Sequence, residues 1–399
     1  MGLIEGRYEA VVIGLGPAGA AALKRLQELG IKAVGIERKK APEEPAVCGE
    51  FLPEPSAIEF ISRFPSVRKA YEYIGLARRT NAIRRIILSF AGGKTYNLEI
   101  PGFTVSRKEM VSKLIEGSDY VTGSDVVGIR RVGDAYLVKT RRGKEFSASY
   151  VIAADGFPSA TRRLLGLPAG LQPEDYAVGV NLKMETPSMP RDTIFMYASS
   201  FTQGGYAWII PVGDGLSNVG IGLRFNYVKK GANPLKALTS FVELERRGFL
   251  DSSRQLEEPR SRMIPVSGFY SEPSTGKVLF AGDSLGAVNP INGGGIFTAM
   301  ALGILAAESV WLGNPGIYDE RSWREIGQVL SIGRAYRVLV DFLYEHFDHV
   351  AVLTALFPRF LLEKILKGEK TPIKGILEIG IGRKTSYRPP RGQASRKPP

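Results

Sequence analysis

The chain has 399 residues, 44% of them hydrophobic and 23% charged, enough for a core in two or three domains and too apolar for bulk disorder. No apolar run reaches the ~20 residues of a membrane span. A single cysteine, Cys48, excludes an intrachain disulfide, and two histidines, His346 and His349, supply a metal centre or a Ser/His/Asp triad poorly. The net charge of +13 admits nucleic acid, anionic lipid or an anionic substrate as partner.

Residues 8–13 read as a buried strand. Gly14-Leu15-Gly16-Pro17-Ala18-Gly19 follows as G-x-G-x-x-G, then a helix pattern over 18–29 ended by Gly30, then a second strand over 33–36 closed by Glu37 and Arg38. Gly14 permits a tight turn, Gly16 lets a pyrophosphate approach the backbone, and Gly19 lets helix pack on strand. The helix start offers free N–H groups to phosphate, and Glu37 is placed for ribose hydroxyls. Strand, helix, strand and acid in this order predict a dinucleotide site. These first residues lead directly into a strand, so no secretory signal is expected, and a cytoplasmic location is.

Further along, Cys48-Gly49 follows the second strand, and residues 84–98 read as a short strand pair. Arg107 opens a helix, and a strand ends in Asp155-Gly156. Over 204–223 two strands flank Gly213-Asp214-Gly215, and Tyr206, Trp208 and Ile210 alternate onto one face. Such aromatic residues either pack a sheet or line an apolar channel. Arg260 and Arg262 read either as a solvated loop pair or as cations at a site mouth. A later strand ends in Gly282-Asp283, followed by Pro290, the glycines Gly293, Gly294 and Gly295, and an apolar helix over 296–307. Three successive glycines are costly to order, so something must approach that backbone closely. The C-terminal run reads as two helices broken near Pro358. They either pack on the nucleotide domain or line a lipid entrance or membrane face. The tail beyond Arg383 carries six basic residues and no acid when Arg383 is included, and is expected to be disordered.

Together the fingerprint, Arg107, Asp155-Gly156 and Gly282-Asp283 with Pro290 resemble the flavoprotein hydroxylase-like class. That class includes para-hydroxybenzoate hydroxylase, geranylgeranyl reductases, lycopene cyclases and flavin-dependent halogenases. The resemblance implies FAD, with Arg107 near its pyrophosphate, Asp283 on the ribityl chain and Gly293–Gly295 along the pyrimidine end of the ring. Helix-start N–H groups there would stabilise negative charge on reduced flavin. The cofactor set expected from it is Gly14, Gly16, Ala18, Gly19, Glu37, Arg38, Cys48, Gly49, Arg107, Asp155, Gly156, Gly282, Asp283, Pro290, Gly293, Gly294 and Gly295, without a metal.

Within the class, Tyr206-x-Trp208-x-x-Pro211, then Asn218-Val219-Gly220-x-Gly222, "NPINGGG" and the Cys48-Gly49 pair resemble the geranylgeranyl reductase family; Val47 stands where that family has proline. This implies an α/β fold. A discontinuous Rossmann-like FAD-binding domain (1–80, 101–170, 271–313) carries an antiparallel-sheet substrate domain (171–270), which the strand pair 81–100 joins. A helical region (314–383) and the basic tail (384–399) follow. It implies an ene-reductase acting on isoprenoid glycerolipid chains. Cys48, Tyr206 and Trp208 are the catalytic candidates, although free cysteine is commonly a small buried hydrophobe. No second nucleotide fingerprint is present, so electrons come from NADPH bound transiently or from a small electron carrier. A lipid substrate also suggests peripheral contact with a membrane.

Two other functions remain open. Hydroxylases of the class usually carry Gly-Asp-Ala-Ala-His where this chain has Gly282-Asp283-Ser284-Leu285-Gly286. Halogenases carry Trp-x-Trp-x-Ile-Pro and a lysine just after the first nucleotide motif, of which no clear equivalent is present. The other alternative is a non-catalytic flavin-binding protein acting at a membrane or on RNA through its basic tail. No aromatic-basic nucleic-acid module is present, so nucleic acid is not expected.

Overall fold

The computed structural model describes residues 4–42, 47–90, 93–168, 170–346 and 358–371. Its first layer is a mainly parallel sheet. Ile4–Ile13 is central, with Ala33–Ile36 and then Asp119–Val121 on one side, and Glu145–Ala153 and then Val278–Phe280 on the other. Ala10, Val11 and Val12 are fully buried, as a parallel sheet covered on both faces requires. The hairpin of Val126–Val132 and Ala135–Thr140 extends this sheet antiparallel from Glu145–Ala153. Because the central strands run the same way, the segments that follow them meet at one edge, where an open α/β sheet places its ligand. The segments starting at Gly14, Glu37, Ala154 and Ala281 all emerge there.

Two helices start from that edge. Pro17–Glu28 begins on a proline, whose missing N–H costs nothing at a first helical position, and buries Ala20, Ala21, Ala22, Leu23 and Leu26. Ile296–Trp311 is longer than the predicted 296–307 and is buried on nearly all sides. The two cross at Gly303, where a Cβ would stand 2.0 Å from the Ala18 carbonyl oxygen. Only glycine lets the helices approach so closely.

The second layer is a largely antiparallel sheet in the order Tyr176–Glu185, Leu216–Arg224, Tyr206–Gly213, Thr193–Ala198. Arg85–Phe90 joins its edge in parallel and carries Thr95–Leu98 beyond it. Ala207, Ile209, Val219, Ile221 and Val180 face outward into a core closed by the helix Pro234–Glu245. Each valine or isoleucine among them contributes about 1.5–3 kcal/mol by leaving water. The opposite face carries Tyr206, Trp208 and Ile210. Register places Gly222, Gly220 and Asn218 opposite them, and Gly179, Asn181 and Lys183 one strand further. A small sheet of Phe51–Pro53, Gly102–Val105 and Arg79–Ile83 lies between the layers.

The helices Gln328–His346 and Arg359–Lys367 flank Pro358. The first is pinned by a buried ion cluster. Arg337 meets Asp175 at 2.9 Å and Asp341 at 3.5 Å, and Arg224 meets Asp341 at 3.2 Å. Burial pulls the Arg224 guanidinium down to about 10 against the pull of Asp341. His349 and the basic tail lie outside the described residues.

Candidate active site

One cavity of about 630 Å³ opens at the strand-end edge and runs between the two sheets. It is lined by every site residue predicted from the sequence except Gly19. Gly19 lies behind the wall, where a Cβ would stand 1.8 Å from the Gly14 carbonyl oxygen. Its part is therefore packing, and its place among cofactor contacts is corrected.

At the nucleotide end, Glu37 is buried at 6% exposure. Its carboxylate accepts the Leu15 N–H at 2.8 Å and the Lys39 N–H at 3.0 Å. Each oxygen keeps a lone pair for a hydroxyl in the cavity. Gly14 takes a φ of +87°, and a side chain there would strike the backbone of Ala154 and Asp155. Gly16 caps the helix Pro17–Glu28 without any side-chain hydrogen bond. A Cβ on it would find only the Arg107 Nη2, 3.6 Å away. Uncapped N–H groups, an open glycine face and a guanidinium thus converge, and this set fits a pyrophosphate.

Asp155 sits at the wall with both oxygens taken, by Ser159 Oγ at 2.9 Å and the Thr161 N–H at 2.8 Å. Burial pushes its carboxyl above the usual range. It builds the turn into the short helix Ala160–Leu164. Asp283 lies across the cavity, its Oδ2 3.4 Å from Arg262 Nη2. The two arginines weighed as a pair separate here. Arg262 lines the cavity beside Gly156 and Asp283, whereas Arg260 is outside it, 3.9 Å from Glu257.

The glycine turn closes the far side. Gly293 has φ +70°, and a Cβ there would approach only the Tyr206 hydroxyl, at 3.8 Å. Gly295 caps the helix Ile296–Trp311, again without a side-chain cap. The Tyr206 hydroxyl donates to the Asn292 carbonyl and burial raises its pKa, so its proton is committed to holding this turn. Gly293 and Gly294 spend their N–H groups inside the turn, on the Asn289 carbonyl and Asn292 Oδ1, so the positive polarisation that suits the electron-rich end of a flavin comes from the start of the helix behind them. Gly294→Val is expected to fold and to purify without stoichiometric flavin, read from the visible absorbance. A yellow, fully loaded variant would refute this placement.

Trp208 lies flat over its neighbouring strand. A Cβ on Gly220 would stand 2.3 Å from the indole Cζ2, and one on Gly222 would stand 3.9 Å from Cζ3. The indole N–H donates to Asn218 Oδ1 at 2.8 Å, and the Tyr206 ring tilts against Trp208 at 5.7 Å. Opposite stands the Cys48 segment. The Glu50 N–H reaches Cys48 Sγ at 3.4 Å, and Glu50 itself holds φ +58°. Its side chain meets Lys183 at 3.6 Å and accepts the Arg107 N–H at 3.3 Å. A non-glycine residue in the left-handed region marks a segment over-determined by its surroundings. Burial pushes the Cys48 thiol above its ordinary value against the pull of Arg107.

Beyond Trp208 the cavity becomes an apolar arm walled by Ile86, Ile100, Ile194, Met196, Ile210 and Leu366. The sequence reading missed Leu366 and Lys367, which the helix Arg359–Lys367 brings to this wall. Asn292 Nδ2 ties that helix down through the Leu366 carbonyl at 2.8 Å. It also missed Glu50, Asn181 and Lys183. Only the alternation of residues 179–183 toward the Trp208 face could have signalled the last two.

Residues 119–304 match the FAD binding domain family. The chain is 27% identical over 318 residues to the digeranylgeranylglycerophospholipid reductase of Methanocella arvoryzae, covering 77% of this chain and 78% of that protein. It is 27% identical over 360 residues to digeranylgeranylglycerophospholipid reductase 2 of Methanothermobacter thermautotrophicus, covering 84% and 88%. Among solved structures, a geranylgeranyl bacteriochlorophyll reductase-like protein from Thermoplasma acidophilum superposes with a TM-score of 0.76 at 22% identity, over 94% of this chain and 99% of that one. The flavin-dependent brominase Bmp2 shares the fold less closely, with a TM-score of 0.66 at 19% identity over 94% and 98%. The resemblance carried by the glycine turn, the Tyr-x-Trp strand and the Cys-Gly pair therefore holds across most of the chain, which is an FAD-dependent oxidoreductase related to the digeranylgeranylglycerophospholipid reductases.

Proposed function

We propose that the protein saturates C=C bonds of geranylgeranyl chains on an isoprenoid glycerolipid. The observation that carries this reading is the continuity of the cavity. A nucleotide-shaped end leads past the glycine turn directly into an arm walled by aliphatic side chains. An isolated alkene offers no polar handle, so the protein must supply orientation, dryness and a proton. Bound FAD, once reduced, supplies the hydride.

Cys48 is the proton donor in this reading. Its raised thiol keeps the proton at neutral pH, and it stands where the cavity changes from polar to apolar. Protonation of the less substituted carbon leaves positive charge on the methyl-bearing carbon. The faces of Tyr206 and Trp208 line the path to stabilise it. An external donor, NADPH or a small electron carrier, would supply the electrons. A lipid substrate would bring the protein to a membrane surface; among the described residues no helix is long and apolar enough to cross one.

The test is anaerobic incubation with chemically reduced FAD and a geranylgeranylated glycerolipid, followed by mass spectrometry. Gains of hydrogen pairs are expected. No mass change with flavin bound and reducible would overturn the reading and favour oxygen- or halide-dependent chemistry. Cys48→Ser is expected to keep its flavin and lose about 100-fold or more in turnover, the lower range for removal of a general acid. Unchanged turnover would remove Cys48 from the mechanism.

A further inference from the structure

Two buried carboxamides converge on one backbone oxygen beside the proposed proton donor. Asn218 Nδ2 donates to the Cys48 carbonyl at 2.9 Å, and Asn181 Nδ2 donates to the same oxygen at 3.3 Å. The two side chains are 3% and 7% exposed, and they project from neighbouring strands onto the cavity face. The orientation of the Asn218 amide is not free. The Trp208 indole N–H can only donate, so Asn218 must turn its oxygen to Trp208 and its nitrogen to Cys48. One amide therefore links the aromatic wall to the peptide that carries the thiol.

The consequence follows from peptide geometry. Across a trans peptide the C=O and N–H point in opposite directions. With its carbonyl held on the sheet, the Cys48–Gly49 peptide turns the Gly49 N–H away from the sheet. Gly49 lines the cavity, and its N–H has no acceptor among the described residues. The same segment carries Glu50 with φ +58°, a conformation that needs outside restraint.

We infer that Asn218, assisted by Asn181, is a positioning residue that sets the Cys48–Gly49 peptide plane and thereby aims the thiol and the Gly49 N–H into the cavity. The inference rests on the reading of Cys48 as proton donor for its catalytic meaning, but the clamp itself can be tested without turnover. Cys48 is the only cysteine in the chain, so alkylation by iodoacetamide reports on this segment alone. In the flavin-loaded protein at pH 8, Asn218→Asp keeps an acceptor for Trp208 and sets a carboxylate against the Cys48 carbonyl. Alkylation is expected to speed up by about 10-fold or more, as a local opening restrained by a buried hydrogen bond is released. Asn181→Ala, which removes the longer bond, is expected to give a smaller rise in the same direction, and a double variant with Asn218→Asp no further large one. Lys183→Ala, which loosens the exposed side of the same segment, is expected to change the rate less than 2-fold, as for a partly solvated ion pair.

With flavin and lipid present, Asn218→Asp should lower kcat while the lipid KM holds, because the apolar arm is untouched. Equal alkylation rates in wild type and Asn218→Asp, with native near-UV circular dichroism, would overturn the inference. So would a rate in Lys183→Ala matching that of Asn218→Asp. Should Asn218→Asp fail to fold, Asn181→Ala carries the test, and an unchanged rate there would equally overturn it. Faster alkylation with no activity on any isoprenoid lipid would leave the clamp standing and fail only the assignment of substrate.

Discussion

Gly220→Ala is expected to retain FAD and lose about 100-fold in turnover on the lipid. The added methyl would stand 2.3 Å from the Trp208 indole and 2.7 Å from the Val180 carbonyl oxygen. The carbonyl belongs to the adjacent strand and cannot withdraw, so the indole must lift. Its N–H then leaves Asn218, and the ring enters the apolar arm that the alkene would occupy. Displacing a positioning wall by about 1 Å is enough for a loss of that order. Overpacking adds about 1–3 kcal/mol of destabilisation. The nucleotide end is remote from Gly220, so flavin absorbance should persist while reoxidation of reduced flavin by lipid slows in anaerobic stopped flow. Full turnover in this variant would show that the indole does not shape the substrate path.

The same glycine illustrates what the sequence made legible. Tyr206-x-Trp208 and Asn218-x-Gly220-x-Gly222 are recognisable as a motif, but their reason is a cross-strand one. A flat strand is needed under a flat ring, and that pairing comes from register, which no local pattern states. The fingerprint was legible because its chemistry is local: Gly14, Gly16 and Glu37 follow one another along a single strand–helix–strand unit. Asp155-Gly156 and Gly282-Asp283 are legible through their likeness to the flavoprotein class, and the parallel strands that precede them deliver both to one edge.

Arg260 and Arg262 could not be separated by reading. They stand two apart on the strand Arg260–Pro265 and so share one face, and only the partner Asp283, far along the chain, marks Arg262 as the one at the cavity. The hairpin Val126–Thr140 was equally silent, since its exposed arginines and short turn look like a loop until it pairs with Glu145–Ala153. Leu366 reaches the cavity on a helix distant in sequence, which Asn292 helps to hold. Sites assembled by long-range contacts leave composition behind in the sequence, and little pattern.

Asp175→Ala is expected to be the most destabilising single change outside the glycines, by about 3–5 kcal/mol. Asp175 is 6% exposed and Arg337 4%, with Arg334 a further 3.7 Å partner. In the native cluster Arg224, Arg334 and Arg337 face Asp175 and Asp341. The variant leaves three guanidinium groups to one carboxylate, two of them, on Arg224 and Arg337, buried. Asp175 also accepts the Gln172 N–H at 3.0 Å, so the turn entering the substrate sheet loses its cap as well. The helix Gln328–His346 carries Val329 and Leu330 to the cavity wall, so its loosening should raise the lipid KM before it affects flavin binding. Urea titration followed by near-UV circular dichroism measures the loss. A partner experiment separates the charge from the contact. Removing both charges in Asp175→Leu with Arg337→Met should recover much of the stability, because a buried ion pair contributes little net free energy and its broken half costs a great deal. A loss below about 1 kcal/mol in the single variant would mean that water reaches the cluster and that packing alone holds the helix.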